Sequence, residues 1–231
     1  MLAELLPPSF HTVEVYGDPP GLTLYPEEEA WVTRAVEARR REFTTGRYCA
    51  RAALRRFGVA PAAIAKGPGG APVWPDGVVG SITHCAGYRA AAVALTSDIF
   101  TVGIDAEPAE PLPDEILNII SIPRERAELA VIADAWPGVP WGRLLFSAKE
   151  SVYKAWAPVT ASFLDFDGAE IRIDSKAGRF AARLLVPGAD LVAGPAGELH
   201  GRFAVRDGLL VTAIARPARA THRAAPALQA C

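Results

Sequence analysis

The sequence predicts an α/β protein of the α+β kind, built as two halves that each run helix-rich and then strand-rich. Three observations carry this. Helical apolar spacing fills residues 26 to 57 and again 114 to 156, with alternating, β-branched stretches after each. The halves close on similar patterns, RAAAVALTSDIFTVGID and GRFAVRDGLLVTAIA, with little identity between them. Between them Pro108, Pro111 and Pro113 mark a boundary near residue 108. The expected division is an N-terminal subdomain over 1–108, a C-terminal subdomain over 109–216, and an Ala/Pro/Arg-rich disordered tail over 217–231.

In chain order, residues 1–25 are punctuated by Pro and Gly and read as extended. Pro26-Glu27-Glu28-Glu29 opens a helix, because Pro suits the first helical position and acids suit the positive end of the helix dipole. Phe43, Ala50, Leu54 and Phe57 continue that helix, with an interruption expected at Thr44-Thr45-Gly46 and a stop at Gly58. Segment 66–77, KGPGGAPVWPDG, is turn chemistry. Strands follow near 78–83, 90–95 and 100–104, the last two joined as a hairpin by Thr96-Ser97-Asp98. The second half gives helices near 114–119, 124–135 and 141–156. Strands follow near 169–173, 179–185, 199–205 and 209–215, the last pair turning at Arg206-Asp207-Gly208.

Composition narrows the function. The 231 residues are 50% apolar and 22% charged, which fits a packed core and not a disordered chain. A net charge of −2 argues against binding nucleic acid by bulk charge. No apolar run is long enough to span a membrane, and no secretory signal is visible. Cys49, Cys85 and Cys231 are too far apart for a disulfide framework or a CxxC zinc site, so a reduced, cytoplasmic location is expected. Lysine is scarce: Lys66, Lys149, Lys154 and Lys176 stand against 20 arginines. A compact point charge suits a phosphate oxygen where a planar fork does not.

Four segments carry chemistry. In Val102–Glu107 a strand would turn Asp105 and Glu107 to one side, about 6.6–6.8 Å apart along the chain. Two such acids raise each other's pKa unless a cation lies between them, and oxygen donors alone favour Mg²⁺; two solvated acids at a strand end are the plain alternative. In Phe146–Trp156, Glu150 could complete a three-carboxylate metal site while Lys149 and Lys154 bracket an anion; an exposed Glu–Lys pair is the plain reading. In Gly80–Cys85, Ser81 and Thr83 share a face and His84 sits at the strand exit, a phosphate contact, a proton carrier or a structural histidine. Arg47, Arg51 and Arg55 follow one helix face after Arg39, Arg40 and Arg41, a solvated basic face or a phosphate-binding edge beside the glycine loop that begins at Lys66.

Taken together, GAPVWPDGVVGSITH, VGIDAEP and FSAKESVYKAW, preceded by FTTGRYCARAAL, resemble the motifs of the phosphopantetheinyl transferases of the Sfp-like, double-length, EntD-related type, in the same order. The resemblance covers roughly residues 25–165. It implies a pseudo-dimer of two similar subdomains, each a small antiparallel sheet packed with helices, with the active site between them. It also implies transfer of the 4′-phosphopantetheine arm of coenzyme A to a serine of an apo acyl or peptidyl carrier protein, an acidic helical bundle, with release of 3′,5′-ADP. By the same resemblance Asp105, Glu107 and Glu150 hold Mg²⁺. Arg39, Arg47, Lys66, Gly67, Thr83, His84, Asp105, Lys149 and Lys154 contact coenzyme A, with Arg51 a further candidate. Glu150, Lys154 and Glu107 carry the chemistry, Glu150 as base for the serine and Glu107 as its rival. Neither nucleic acid nor membrane is an expected partner. Another Mg²⁺-dependent phosphodiesterase or nuclease, and a non-catalytic coenzyme-A-binding module, remain alternatives. Residues 112–126 hold Ile116, Leu117, Ile119 and Ile120, too many for one narrow buried stripe; with Arg124 and Arg126 they are the expected carrier-docking surface, and four core residues are the plain alternative.

Overall fold

The computed structural model describes residues 1–218 and holds two antiparallel sheets packed with helices. Strands β1 (His11–Tyr16), β2 (Val78–Cys85) and β3 (Tyr88–Leu95) form the first sheet in the order β1-β3-β2. Strands β4 (Ile99–Pro108), β5 (Ala169–Asp174), β6 (Arg179–Leu184), β7 (Glu198–Arg206) and β8 (Leu209–Pro217) form the second, in the order β4-β8-β7-β6-β5. The helices are α1 (Pro26–Glu29), α2 (Glu37–Leu54), α3 (Asp114–Ile120), α4 (Pro123–Ala135), α5 (Trp141–Thr160) and α6 (Ala189–Ala193).

Helix α2 packs on β1 and β3 through Cys49, Ala50, Ala53 and Leu54, which bury with Ile64, Val78, Ala91 and Val93. Helix α5 packs on β4 and β8, and its buried face, from Trp141 and Leu144 to Trp156, meets the strands of the second sheet in the largest core. Gly103 makes the α5–β4 approach possible: a Cβ there would collide with the Ser151 carbonyl, so β4 lies directly against the helix backbone. The β7–β8 turn has positive φ at both Asp207 and Gly208, as a tight two-residue hairpin requires.

Three expectations change. The helix opened by Pro26 ends after one turn, because the Glu28 carboxylate bonds back to Tyr25 N and turns inward to Ile64 N and Arg51. Helix α2 then runs unbroken through Thr44-Thr45-Gly46. The hairpin across Thr96-Ser97-Asp98 does not form: β3 is paired on both sides by β1 and β2, and β4 pairs with β8. Sheet membership therefore changes at that turn rather than at the proline cluster near residue 108. Strand β1 and the short α6 fall in segments where no element was expected. Of the expected tail, Pro217 ends β8 and Ala218 N donates to the Asp98 carbonyl; residues 219–231 lie outside the described residues.

The two sheets meet where β2 lies against β4, and side chains rather than a backbone ladder join them. Ile104 N donates to Ser81 Oγ at 3.2 Å and Ala106 N donates to Thr83 Oγ1 at 3.0 Å. This seam places the C-terminal ends of β2 and β4 side by side, between α2 and α5.

Candidate active site at the seam of the two sheets

A pocket of about 380 Å³ opens at that seam. Helix α2 contributes Arg39, Glu42 and Arg47, the glycine loop contributes Lys66, Gly69 and Gly70, and β2 contributes Ser81 and His84. From the other side β4 contributes Asp105 and Glu107, and α5 contributes Phe146, Glu150, Tyr153 and Lys154. The helical period explains the α5 set, since Phe146, Glu150, Tyr153 and Lys154 recur at three- and four-residue steps on one face.

The acidic side is tightly organised. Asp105 is 4% exposed. Its Oδ1 accepts from Lys154 Nζ at 2.7 Å and from Thr83 Oγ1 at 3.3 Å, while its Oδ2 is buried with no hydrogen-bond partner. Glu107 pairs with Arg143 at 3.2 Å, and Arg143 also donates to the carbonyls of Glu110 and Pro111. The two acids thus do have cationic partners, which α5 supplies across the fold. Burial, with Asp105 adding to it, raises the Glu107 pKa against the pull of Arg143. Burial also raises the pKa of Glu150, with Lys154 opposing and Asp105 adding to the rise.

The basic side is held from beneath. Arg47 stacks on the Phe43 ring at 4.5 Å and lies 3.9 Å from the buried Glu28 carboxylate, and burial lowers its pKa to about 10. Its Nε is buried without a hydrogen-bond partner. Lys66 Nζ sits over the rings of Trp31 and Phe43, at 5.6 and 5.9 Å. Gly69 and Gly70 carry positive φ, which folds the loop back over Lys66, and a Cβ on Gly69 would press on the Tyr153 hydroxyl of α5.

Lys149, Thr83, Gly67 and Arg51, all expected to contact coenzyme A, are not among the residues that line this pocket. Lys149 is buried and bonds to Glu125 at 2.8 Å and to the Phe166 carbonyl at 2.6 Å. It lies one residue from Glu150, so the helix turns it by about 100° off this pocket face and onto the wall of a neighbouring one. Thr83 is 1% exposed and uses its hydroxyl in the seam. Gly67 is beneath the loop, where its N donates to the Ala71 carbonyl and Val73 packs over it. Arg51 bonds to Glu28 at 2.6 Å and to the Thr23 carbonyl. Conversely, Glu42 and Arg143 were not singled out. Glu42 stands three residues from Arg39, and Arg143 stands two turns before Glu150, so helical spacing alone marks both for the site faces.

A second, smaller pocket of about 200 Å³ is lined by Lys149, Glu150, Tyr153, Phe163, Leu164, Asp165, Phe166 and Ala169, and so shares Glu150 and Tyr153 with the first. Among the described residues no group of three or more His, Cys, Asp or Glu side chains is gathered closely enough to hold a metal ion by itself. The donor chemistry nevertheless fits a hard cation whose shell a substrate completes. Three of the four carboxylates that line the pocket come from β4 and α5, one of them with a bare buried oxygen, and Mg²⁺ is typically held by one or two carboxylates together with substrate phosphates.

Comparison with known proteins gives the same direction from both halves. The family model of the 4′-phosphopantetheinyl transferase N-terminal domain matches residues 27–94, and that of the 4′-phosphopantetheinyl transferase superfamily matches residues 101–200. The chain is 53% identical over 218 residues to 4′-phosphopantetheinyl transferase Svp of Streptomyces mobaraensis, covering 93% of this chain and 89% of that protein. It is 49% identical over 205 residues to 4′-phosphopantetheinyl transferase PptT of Mycobacterium tuberculosis, covering 87% and 89%. Enterobactin synthase component D of Salmonella typhi is 36% identical over 139 residues, 59% of this chain and 56% of that protein.

Proposed function

Since the chain belongs to the 4′-phosphopantetheinyl transferases, which move phosphopantetheine from coenzyme A to carrier proteins, we propose that coenzyme A lies along the seam pocket, its phosphates toward Arg39, Arg47, Lys66, His84 and Lys154. One observation carries this reading. A single pocket joins a cationic wall from the first sheet and α2 to three carboxylates on β4 and α5, an arrangement suited to a polyanion whose pyrophosphate is to be cleaved. The smaller pocket beyond Glu150, with Tyr153, Phe163, Leu164 and Phe166 on its walls and Lys149 held by Glu125 at its side, offers apolar surface for the uncharged pantetheine arm. With β4 counted by its hydrogen bonds, we place the working boundary of the two subdomains at the Thr96–Asp98 turn.

Asp105, Glu107 and Glu150 would hold Mg²⁺. When bound, that ion would neutralise and polarise the pyrophosphate. The chain's own residues do the rest. Lys154, fixed by Asp105 and reaching Thr83 Oγ1 at 3.5 Å, presents its charge at the mouth of the acidic cluster. Glu150 accepts the proton of the carrier serine. What supports Glu150 over Glu107 is commitment: Glu107 is paired with Arg143, whereas among the described residues no hydrogen bond or ion pair holds the Glu150 carboxylate. Burial raises its pKa toward the working range of a general base. In-line placement of serine and phosphate supplies most of the remaining acceleration.

For the carrier we propose the surface of α3. Ile119 is 71% exposed and Ile116 40%, whereas Ile120 is buried and Leu117 packs toward the core. Arg124, more than half exposed, pairs with Glu128 and Glu170 at the edge of this surface. No helix of the described residues is long and apolar enough to cross a membrane; a cytoplasmic site of action accords with the buried free thiols of Cys49 and Cys85.

The test is a pantetheinylation assay on an apo carrier with intact-mass detection. Wild type should add one phosphopantetheine, and Asp105→Ala should cut turnover by at least about a hundredfold, since a metal ligand is worth several kcal/mol in the transition state. Near-normal turnover of Asp105→Ala in excess Mg²⁺ would refute the metal assignment.

A further inference from the structure

A carboxylate on the cationic side of a polyanion pocket calls for a reason, and Glu42 is such a group. Its Oε2 lies 3.5 Å from both Arg39 Nη1 and His84 Nδ1, and its Oε1 lies 3.7 Å from Arg89 Nη2. Arg39 Nη1 is in direct contact with the other ring nitrogen, His84 Nε2. A guanidinium only donates. Nε2 must therefore accept, which leaves the proton of the neutral ring on Nδ1, on the side of Glu42. The guanidinium contacts one edge of the imidazole and the carboxylate faces the other at ion-pair distance, and the position at Nε2 is held by the same arginine that faces the pocket.

We propose that Glu42 is a positioning residue that holds Nδ1–H of His84, so that when a phosphate of coenzyme A draws Arg39 away from Nε2, the ring takes a proton from bulk water at Nε2 and keeps it, the new N–H donating a hydrogen bond to the phosphate oxygen. The proposal rests on the placement of coenzyme A given above. The charges facing His84 agree with it. Arg39 and Glu42 approach from α2, Arg89 from β3 and Lys154 from α5, while Asp105 and Glu107 of β4 line the same pocket. In the free site burial, then Arg39, lowers the His84 pKa to about 4, with Glu42 the group that opposes the fall. A phosphate dianion arriving at Nε2 reverses the balance and raises it. The ring is then neutral before binding and cationic after, and binding strengthens as pH falls from the bound pKa toward about 4.

The experiment is calorimetry of coenzyme A binding to the full chain without added metal, near pH 7, in buffers of different ionisation heat. Wild type should take up as much as about one proton per coenzyme A bound, with affinity rising by up to about tenfold per pH unit lowered. The 3′-phosphate, with a second pKa near about 6, can only lose a proton in a cationic site, so it cannot mimic uptake. His84→Gln should remove the larger part of the uptake, leaving only what Glu107 and Glu150 take up in the metal-free pocket, and Glu42→Gln should at least halve the His84 share. Glu42→Asp, which keeps the charge one methylene back, should fall between, and decides the matter if Glu42→Gln does not fold. A role for Glu42 in packing alone would weaken binding at all pH values and leave the uptake unchanged. If His84→Gln weakens binding but wild type takes up no proton, or if Glu42→Gln and Glu42→Asp take up as much as wild type, the inference is overturned and the coenzyme A placement stands. If His84→Gln binds coenzyme A as tightly as wild type, the placement itself is overturned.

Discussion

Replacing Lys149 with Met separates the structural reading of this residue from the one its motif suggests. Lys149 Nζ lies 2.8 Å from Glu125 Oε2 and 2.6 Å from the Phe166 carbonyl oxygen, with both side chains buried. Removing one partner of a buried ion pair costs about 3–5 kcal/mol, because the other charge is left in a medium that solvates it poorly. Glu125 retains hydrogen bonds from Ile122 N at 2.9 Å and Ile171 N at 2.7 Å, which still stabilise the anion. The cost should therefore fall at the lower end, about 3 kcal/mol. For a chain of this size that lowers Tm by about 6–12 °C. The assay is thermal unfolding followed by circular dichroism, paired with steady-state kinetics well below the transition. Lys149→Met should unfold early yet keep its KM for coenzyme A within about threefold, since the lost charge was neutralised by Glu125 and not by substrate. The double variant Lys149→Met/Glu125→Gln should recover part of the loss, with a coupling energy of about 1–3 kcal/mol. An unchanged Tm together with a tenfold rise in KM would refute this reasoning and return Lys149 to the substrate.

Three further outcomes are expected. Lys154→Met should move the acid limb of the kcat/KM–pH profile upward, since Lys154 lowers the Glu150 pKa, and an unmoved limb would separate Glu150 from the proton transfer. Lys66→Ala should raise the KM for coenzyme A roughly tenfold or more, the worth of a charge-assisted hydrogen bond, with kcat nearly unchanged. It should discriminate less against dephospho-coenzyme A if it meets the 3′-phosphate. Ile119→Asp should raise the KM for the carrier and leave coenzyme A binding intact; unchanged carrier kinetics would place the docking surface away from α3.

Most of the secondary structure was legible because local rules and tertiary packing agree there. The helix at 141–156 and the four strands after it carry strong periodicity, and the fold extends the helix only to Thr160. The misses have a common cause. The turn Thr96-Ser97-Asp98 has hairpin chemistry, but β3 already has partners on both edges, one of them a strand from the N-terminal segment where only extended chain was expected. Likewise the helix opened by Pro26 ends because Glu28 is drawn to Arg51 and Ile64, neighbours that only the fold supplies.

The same division runs through the site. Sequence alone determined the residue types and the faces they share: Asp105 and Glu107 at alternate strand positions, Glu150 and Lys154 one helical turn apart, Ser81 and Thr83 on one side of β2. These follow from the fixed periods of strand and helix, which a motif reveals without knowledge of its surroundings. Only the tertiary structure decided which charges meet. It gave Lys154 to Asp105, Arg143 to Glu107 and Lys149 to Glu125, and it set the Thr83 hydroxyl as a bolt between the sheets. Each of these pairs joins separate elements, and ion-pair and hydrogen-bond energies depend on distance and burial that no local spacing encodes.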